Sequence, residues 1–107
     1  MKVKFKMNNI TYEIKEKSQA ELAEENGSKP DIMYFGLTIP SKQEIWLLET
    51  LKPEQKRITL MHELMHCYCC CYLSFSPLNF DEDYWADISA NSHAIIDEIA
   101  NAYFSLT

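Results

Sequence analysis

The sequence predicts an α+β domain in which a small antiparallel sheet of three to five strands packs on a helix in mid-chain and on a long helix at the C-terminal end. Three observations carry that expectation. Polar and apolar residues alternate with a period of two from Val3 to Phe5 and again from Ile10 to Ile14. Two further β-rich stretches, Met33 to Ile39 and Glu44 to Leu51, flank Pro40-Ser41-Lys42-Gln43. From Pro53 onwards the apolar residues recur at helical spacing instead. The 107 residues suffice for one domain with a single modest core, spanning residues 1–107.

Taking the elements in order, Asn8-Asn9 is a turn signal between the first two alternating runs, so a β-hairpin is expected there. Ser18 is a candidate cap for a short helix to Glu25, stopped by Gly27 and Pro30; its acidic residues Glu21, Glu24 and Glu25 read as a solvated face. The turn chemistry of residues 40–43 predicts a second hairpin leading into the central helix. Pro53 suits a first helical position and Glu54 a first turn, with Thr50 or Lys52 as the cap. On a helical wheel Ile58, Met61, Leu64, Met65, Tyr68 and Tyr72 form one arc, and Gln55, Thr59, His62, Glu63 and His66 share the other side. A loop is expected over residues 73–80. Asp81 then caps a second long helix whose core face is Trp85, Ile88, Ser92, Ile95, Ile99, Ala102 and Leu106.

The chemistry concentrates in His62-Glu63-Leu64-Met65-His66. Histidines four apart lie one above the other on a helix, so both imidazoles can reach one metal ion held beside that face. Glu63 is about 100° further round, close enough to act as a general base on a water at the metal without ligating it. This is the H-E-x-x-H zinc arrangement.

Composition narrows the partners. A formal charge of −6 and no basic cluster longer than Lys56-Arg57 argue against nucleic acid or an anionic membrane, leaving a protein or peptide as the expected substrate. Nothing resembles a signal peptide or a membrane span. The four cysteines all fall within Cys67-Tyr68-Cys69-Cys70-Cys71, where neighbouring thiols on one helix lack disulfide geometry, so a reducing cytoplasm is expected. The cluster lacks paired C-x-x-C hooks, and small buried cysteines explain it more simply than a second metal site. Cys70 follows His66 by four but lies about 12 Å along the axis from His62, too far to join both histidines on one metal.

A catalytic zinc takes three protein ligands and leaves a position open. The second long helix offers Asp87 a full turn inside its start, with Asp83, Glu82 and His93 as alternatives. Asp83, Asp87, Asn91, Ala94 and Glu98 share one stripe, while His93 lies about 240° from Asp87 and cannot point at the same metal. Asp87 is the expected ligand.

The stretches Gly36-Leu37-Thr38, Glu44-Ile45-Trp46-Leu47 and Arg57-Ile58-Thr59-Leu60-Met61-His62-Glu63-Leu64-Met65-His66 resemble the core of ImmA/IrrE-type zinc metallopeptidases. Phe80 to Ile88 and Ile95 to Ala100 resemble the second helix of short members found in phages and mobile elements, and the likeness covers roughly residues 33–104. The resemblance implies a minimal zincin-like domain, an acidic third ligand that falls on Asp87, and cleavage of regulatory proteins, typically repressors. In the family that ligand is usually glutamate, and aspartate is one methylene shorter.

The expected activity is hydrolysis of a peptide bond at Zn²⁺ held by His62, His66 and Asp87, with Glu63 taking the proton of the attacking water and passing it to the leaving amine. Tyr84 and His93 are candidate donors to the oxyanion. Two other readings compete. One is a zinc-binding phage or mobile-element accessory protein that acts as a binding module with little or no catalysis. The other is a scaffold whose metal is structural, with His93 or a cysteine closing the fourth position.

Overall fold

The computed structural model describes residues 3–27, 33–73 and 82–106, and for residues 82–89 and 106 it describes the backbone alone. The elements are β1 (Val3–Met7), β2 (Ile10–Lys17), α1 (Gln19–Glu25), β3 (Gly36–Ile39), β4 (Glu44–Leu48), α2 (Pro53–Tyr68) and α3 (Glu82–Leu106). A π-helical turn over Cys69–Leu73 continues α2.

The first hairpin forms as expected, with Val3 paired to Ile14 and Met7 to Ile10. Asn8 and Asn9 both take positive φ, 50° and 66°, as a two-residue hairpin turn with the right-handed strand twist requires. Ser18 caps α1 through a reciprocal box: the Glu21 N–H donates to Ser18 Oγ at 3.2 Å and the Ser18 N–H donates to Glu21 Oε1 at 3.1 Å. The chain leaves that helix through Gly27 at φ +71°, while Pro30 lies outside the described residues.

The sheet departs from the antiparallel one expected. Its order is β1-β2-β4-β3, and β2 pairs with β4 in parallel, Ile14 beside Ile45 and Lys17 beside Leu48. The reason lies in β4 itself. Ile45-Trp46-Leu47-Leu48 is a continuous apolar run, all four buried, and such a run needs a central position covered on both faces. β3, shorter and opening on Gly36, takes the edge and pairs antiparallel with β4.

The two faces of β4 divide the core. Ile45 and Leu47 join Leu60, Leu64 and Cys67 of α2 and Ile96, Ile99 and Tyr103 of α3. Trp46 and Leu48 pack with Leu22 of α1 and Ile39 on the opposite face. Helices therefore cover both faces of the sheet.

Both wheel assignments are corrected. Ile58, placed on the apolar arc of α2, is 63% exposed, whereas Thr59 and Glu63 from the polar side are only 6% and 8% exposed. β3 causes this, because it runs close against the Thr59 and Glu63 side of the helix: a Cβ at Gly36 would lie 2.8 Å from Thr59 Cγ2 and 3.1 Å from Glu63 Cγ. On α3 the inward residues are Ser92, Ile96, Ile99, Ala100 and Tyr103, while Ile95 is half-buried and Ala102 exposed. Tyr103 is anchored inward by its hydroxyl, which donates to Glu16 Oε2 at 3.0 Å. Trp85, Ile88 and Leu106 side chains, the cap at Asp81 and the loop over 74–80 lie outside the description. Among the described residues no helix is long and apolar enough to cross a membrane.

Candidate metal centre

The site is carried by the third and fourth turns of α2. Lys52 is the N-cap and Pro53 the first helical residue; the Lys52 side chain makes no capping bond, and the Lys56 N–H donates to the Lys52 carbonyl at 2.8 Å. The far end is held by the first hairpin, where Asn8 Nδ2 donates to the Cys71 carbonyl at 2.8 Å and the Asn8 N–H donates to Tyr72 Oη at 3.0 Å. Lys56 Nζ also donates to Glu16 Oε1 of β2 at 2.6 Å, so both ends of the motif helix are tied to the sheet.

His62 and His66 converge: their Nε2 atoms are 3.1 Å apart and the rings meet edge to face at 73°. Zinc–nitrogen bonds are 2.0–2.1 Å, so two nitrogens at this separation subtend about 100° at a common metal position, close to the tetrahedral angle of about 109°. The same distance suits an N–H donating from one ring to the lone pair of the other, and a bound cation would take the place of that proton. Partial burial lowers the pKa of both histidines, and proximity to His62 lowers His66 further. Each effect favours the neutral imidazole, the form that ligates metal.

Glu63 lies under β3. Thr38 Oγ1 is 2.9 Å from both the Glu63 carbonyl oxygen and Glu63 Oε1. One hydroxyl carries one hydrogen, so it donates to one of these oxygens at a time and can accept from the carboxyl when Glu63 is protonated. Burial raises the Glu63 pKa from its ordinary 4.5 to about 7, with the Thr38 bond pulling the other way. This holds for the metal-free protein, and a cation beside the carboxyl would favour its charged form.

Among the described residues no group of three or more His, Cys, Asp or Glu side chains is arranged to hold a metal. The backbone of Asp87, and of the alternatives Asp83 and Glu82, belongs to α3, but their side chains lie outside the described residues, as does that of Tyr84. His93 is exposed, with its Nδ1 3.4 Å from the carbonyl of Ala90 on its own helix, as an ordinary surface histidine would be.

The two long helices also meet through a polar contact. Arg57 Nη2 donates to Asn101 Oδ1 at 2.7 Å, and the guanidinium stands 5.7 Å from the Phe104 ring. His62 and His66 lie about 140° and 180° round α2 from Arg57, so this contact does not turn α3 towards the histidine pair. Asp97, half-buried one turn before Asn101, forms no metal-holding group with the two histidines.

The cysteines take no part. Cys67, Cys69 and Cys71 are buried and all four thiols are free; Cys67 Sγ and Cys71 Sγ are 3.9 Å apart. Burial raises the Cys69 thiol to about 11 and pushes Cys67 and Cys71 in the same direction, so they pack as small neutral groups.

No protein-family model, curated protein or solved structure matches the chain.

Proposed function

We propose that the protein is a zinc-dependent metallopeptidase that hydrolyses a peptide bond in a protein substrate. The observation that carries this reading is the approach of His62 and His66, Nε2 to Nε2 at 3.1 Å, next to the buried carboxyl of Glu63. His62 and His66 would hold the zinc with a carboxylate of α3, which the resemblance places at Asp87. Bound there, Zn²⁺ would lower the pKa of a water and polarise the scissile carbonyl. Glu63 takes the proton of the attacking water and returns it to the leaving amine.

β3 supports a peptide substrate. It is the edge strand beside Glu63, and an extended peptide can add to such an edge by main-chain hydrogen bonds. A regulatory protein such as a repressor is the substrate class that the resemblance to ImmA/IrrE-type enzymes implies. The charge of −6 speaks against nucleic acid, and the free thiols suit a reducing cytoplasm.

The burial of Glu63, 8% exposed, favours a second reading, a zinc-binding module in which the base is shielded and turnover is weak or absent. Hydrolysis of fluorescein-labelled casein by the zinc-loaded protein separates the two. The peptidase reading predicts cleavage that Glu63→Gln reduces at least about 100-fold while zinc stays bound. Full zinc occupancy without any cleavage, or cleavage unchanged in Glu63→Gln, would reject it.

A further inference from the structure

The geometry points to Thr38 as a positioning residue that holds the general base Glu63 from the edge strand. The inference rests on the peptidase reading and goes beyond it, since Thr38 touches neither the proposed metal ligands nor the peptide bond to be cleaved. Three observations assign the role. Thr38 Oγ1 reaches two parts of one residue, the main-chain carbonyl of Glu63 and its Oε1, both at 2.9 Å. When Glu63 is protonated the hydroxyl can donate to the carbonyl and accept from the carboxyl, which ties the side-chain torsions to the helix backbone; when Glu63 is ionised the hydroxyl donates to one of the two oxygens, and both remain within its reach. Second, Gly36 precedes Thr38 by two on the same face of β3, and its missing Cβ lets the strand come against Glu63, whose Cγ a Cβ there would meet at 3.1 Å. Third, Thr38 pairs with Ile45 of the central strand, and Thr59 and Glu63 are buried beneath β3, so the hydroxyl is aimed by a rigid element and not by a loop.

The physical consequence is specific. A glutamate has three side-chain torsions, and an unrestrained one would sample positions away from the water it must deprotonate. Holding it from β3 also ties the base to the same edge along which a peptide would lie, so base and substrate share one reference element. Thr38→Val keeps the shape of the side chain and removes the hydroxyl; Thr38→Ser keeps the hydroxyl and removes the methyl group.

The test uses the full chain loaded with zinc and fluorescein-labelled casein as probe. Thr38→Val is expected to lower kcat by 10- to 100-fold with KM and bound zinc unchanged, and Thr38→Ser to restore kcat to within about threefold of wild type. Wild-type cleavage with an unaffected Thr38→Val would overturn the proposal and leave the peptidase reading standing. So would equal losses in both variants accompanied by equal falls in Tm, the mark of a structural role. A second readout needs no activity: a denaturation cycle of Thr38→Val, Glu63→Ala and the double variant, on metal-free protein. Non-additive midpoints are expected, and strict additivity would overturn the contact. Zinc-loaded wild type that cleaves nothing would overturn the peptidase reading and the positioning role with it, whatever the cycle shows.

Discussion

Glu63→Gln should stabilise the metal-free protein, and more so as pH rises. A buried carboxyl whose pKa is raised from 4.5 to about 7 is favoured in its protonated form, so the fold resists ionisation that the unfolded chain accepts freely. Below pH 4.5 both states are protonated and the fold loses nothing. As pH rises through 7 the folded carboxyl must ionise as well, and the full cost is then present. At about 1.4 kcal/mol per pKa unit the ceiling is about 3 kcal/mol. The glutamine side chain has nearly the same shape, can still take the Thr38 hydrogen bond and cannot ionise. Urea denaturation of chelator-treated protein at pH 5 and pH 8 reads the effect, since the other titrating groups are common to both proteins and cancel. The stability of Glu63→Gln relative to wild type should grow by about 2–3 kcal/mol between those pH values. A difference that is flat with pH, or one that shrinks as pH rises, would refute the reasoning. Saturating zinc should reduce the wild-type penalty, because a cation beside the carboxylate favours its charged form.

Other parts of the fold yield sharper local tests. Gly36→Ala drives a Cβ to 2.8 Å from Thr59 Cγ2, so it should cost about 1–3 kcal/mol in urea, part of which Thr59→Ser recovers by removing that methyl group. Ser18→Ala removes one half of the α1 capping box and should cost about 1 kcal/mol, read by thermal denaturation. Burial works against ionised Glu16, but the bonds from Lys56 and Tyr103 hold its carboxyl below the usual range. That contribution is present above the unfolded pKa of 4.5 and is lost as pH falls through the lower folded value. Tyr103→Phe should therefore destabilise by about 2 kcal/mol at pH 7 and by clearly less near pH 3.

What the sequence made legible is what local rules decide. Asn8-Asn9 determines its hairpin because both residues tolerate positive φ, and Ser18 with Glu21 specifies a helix start through bonds within four residues. The histidine pair converges because a helix places positions four apart on one side. The features not foreseen depend on contacts between distant segments. β4 enters the sheet between β2 and β3, and that parallel pairing is decided by its need for cover on both faces, a need visible in Ile45 to Leu48 only once the run is read as central. Thr59 and Glu63 looked solvent-facing because a wheel knows nothing of β3, which covers them through the gap left by Gly36. The bond between Arg57 and Asn101 likewise joins residues far apart in the chain.

The most direct test of the metal centre is the zinc content of protein purified without added metal, compared among wild type, His62→Ala and Asp87→Ala. Near-stoichiometric zinc in wild type, lost in both variants, is the predicted result, and it identifies the third ligand. Wild-type protein that holds no zinc even after reconstitution, or a His62→Ala variant that keeps it, would contradict the account.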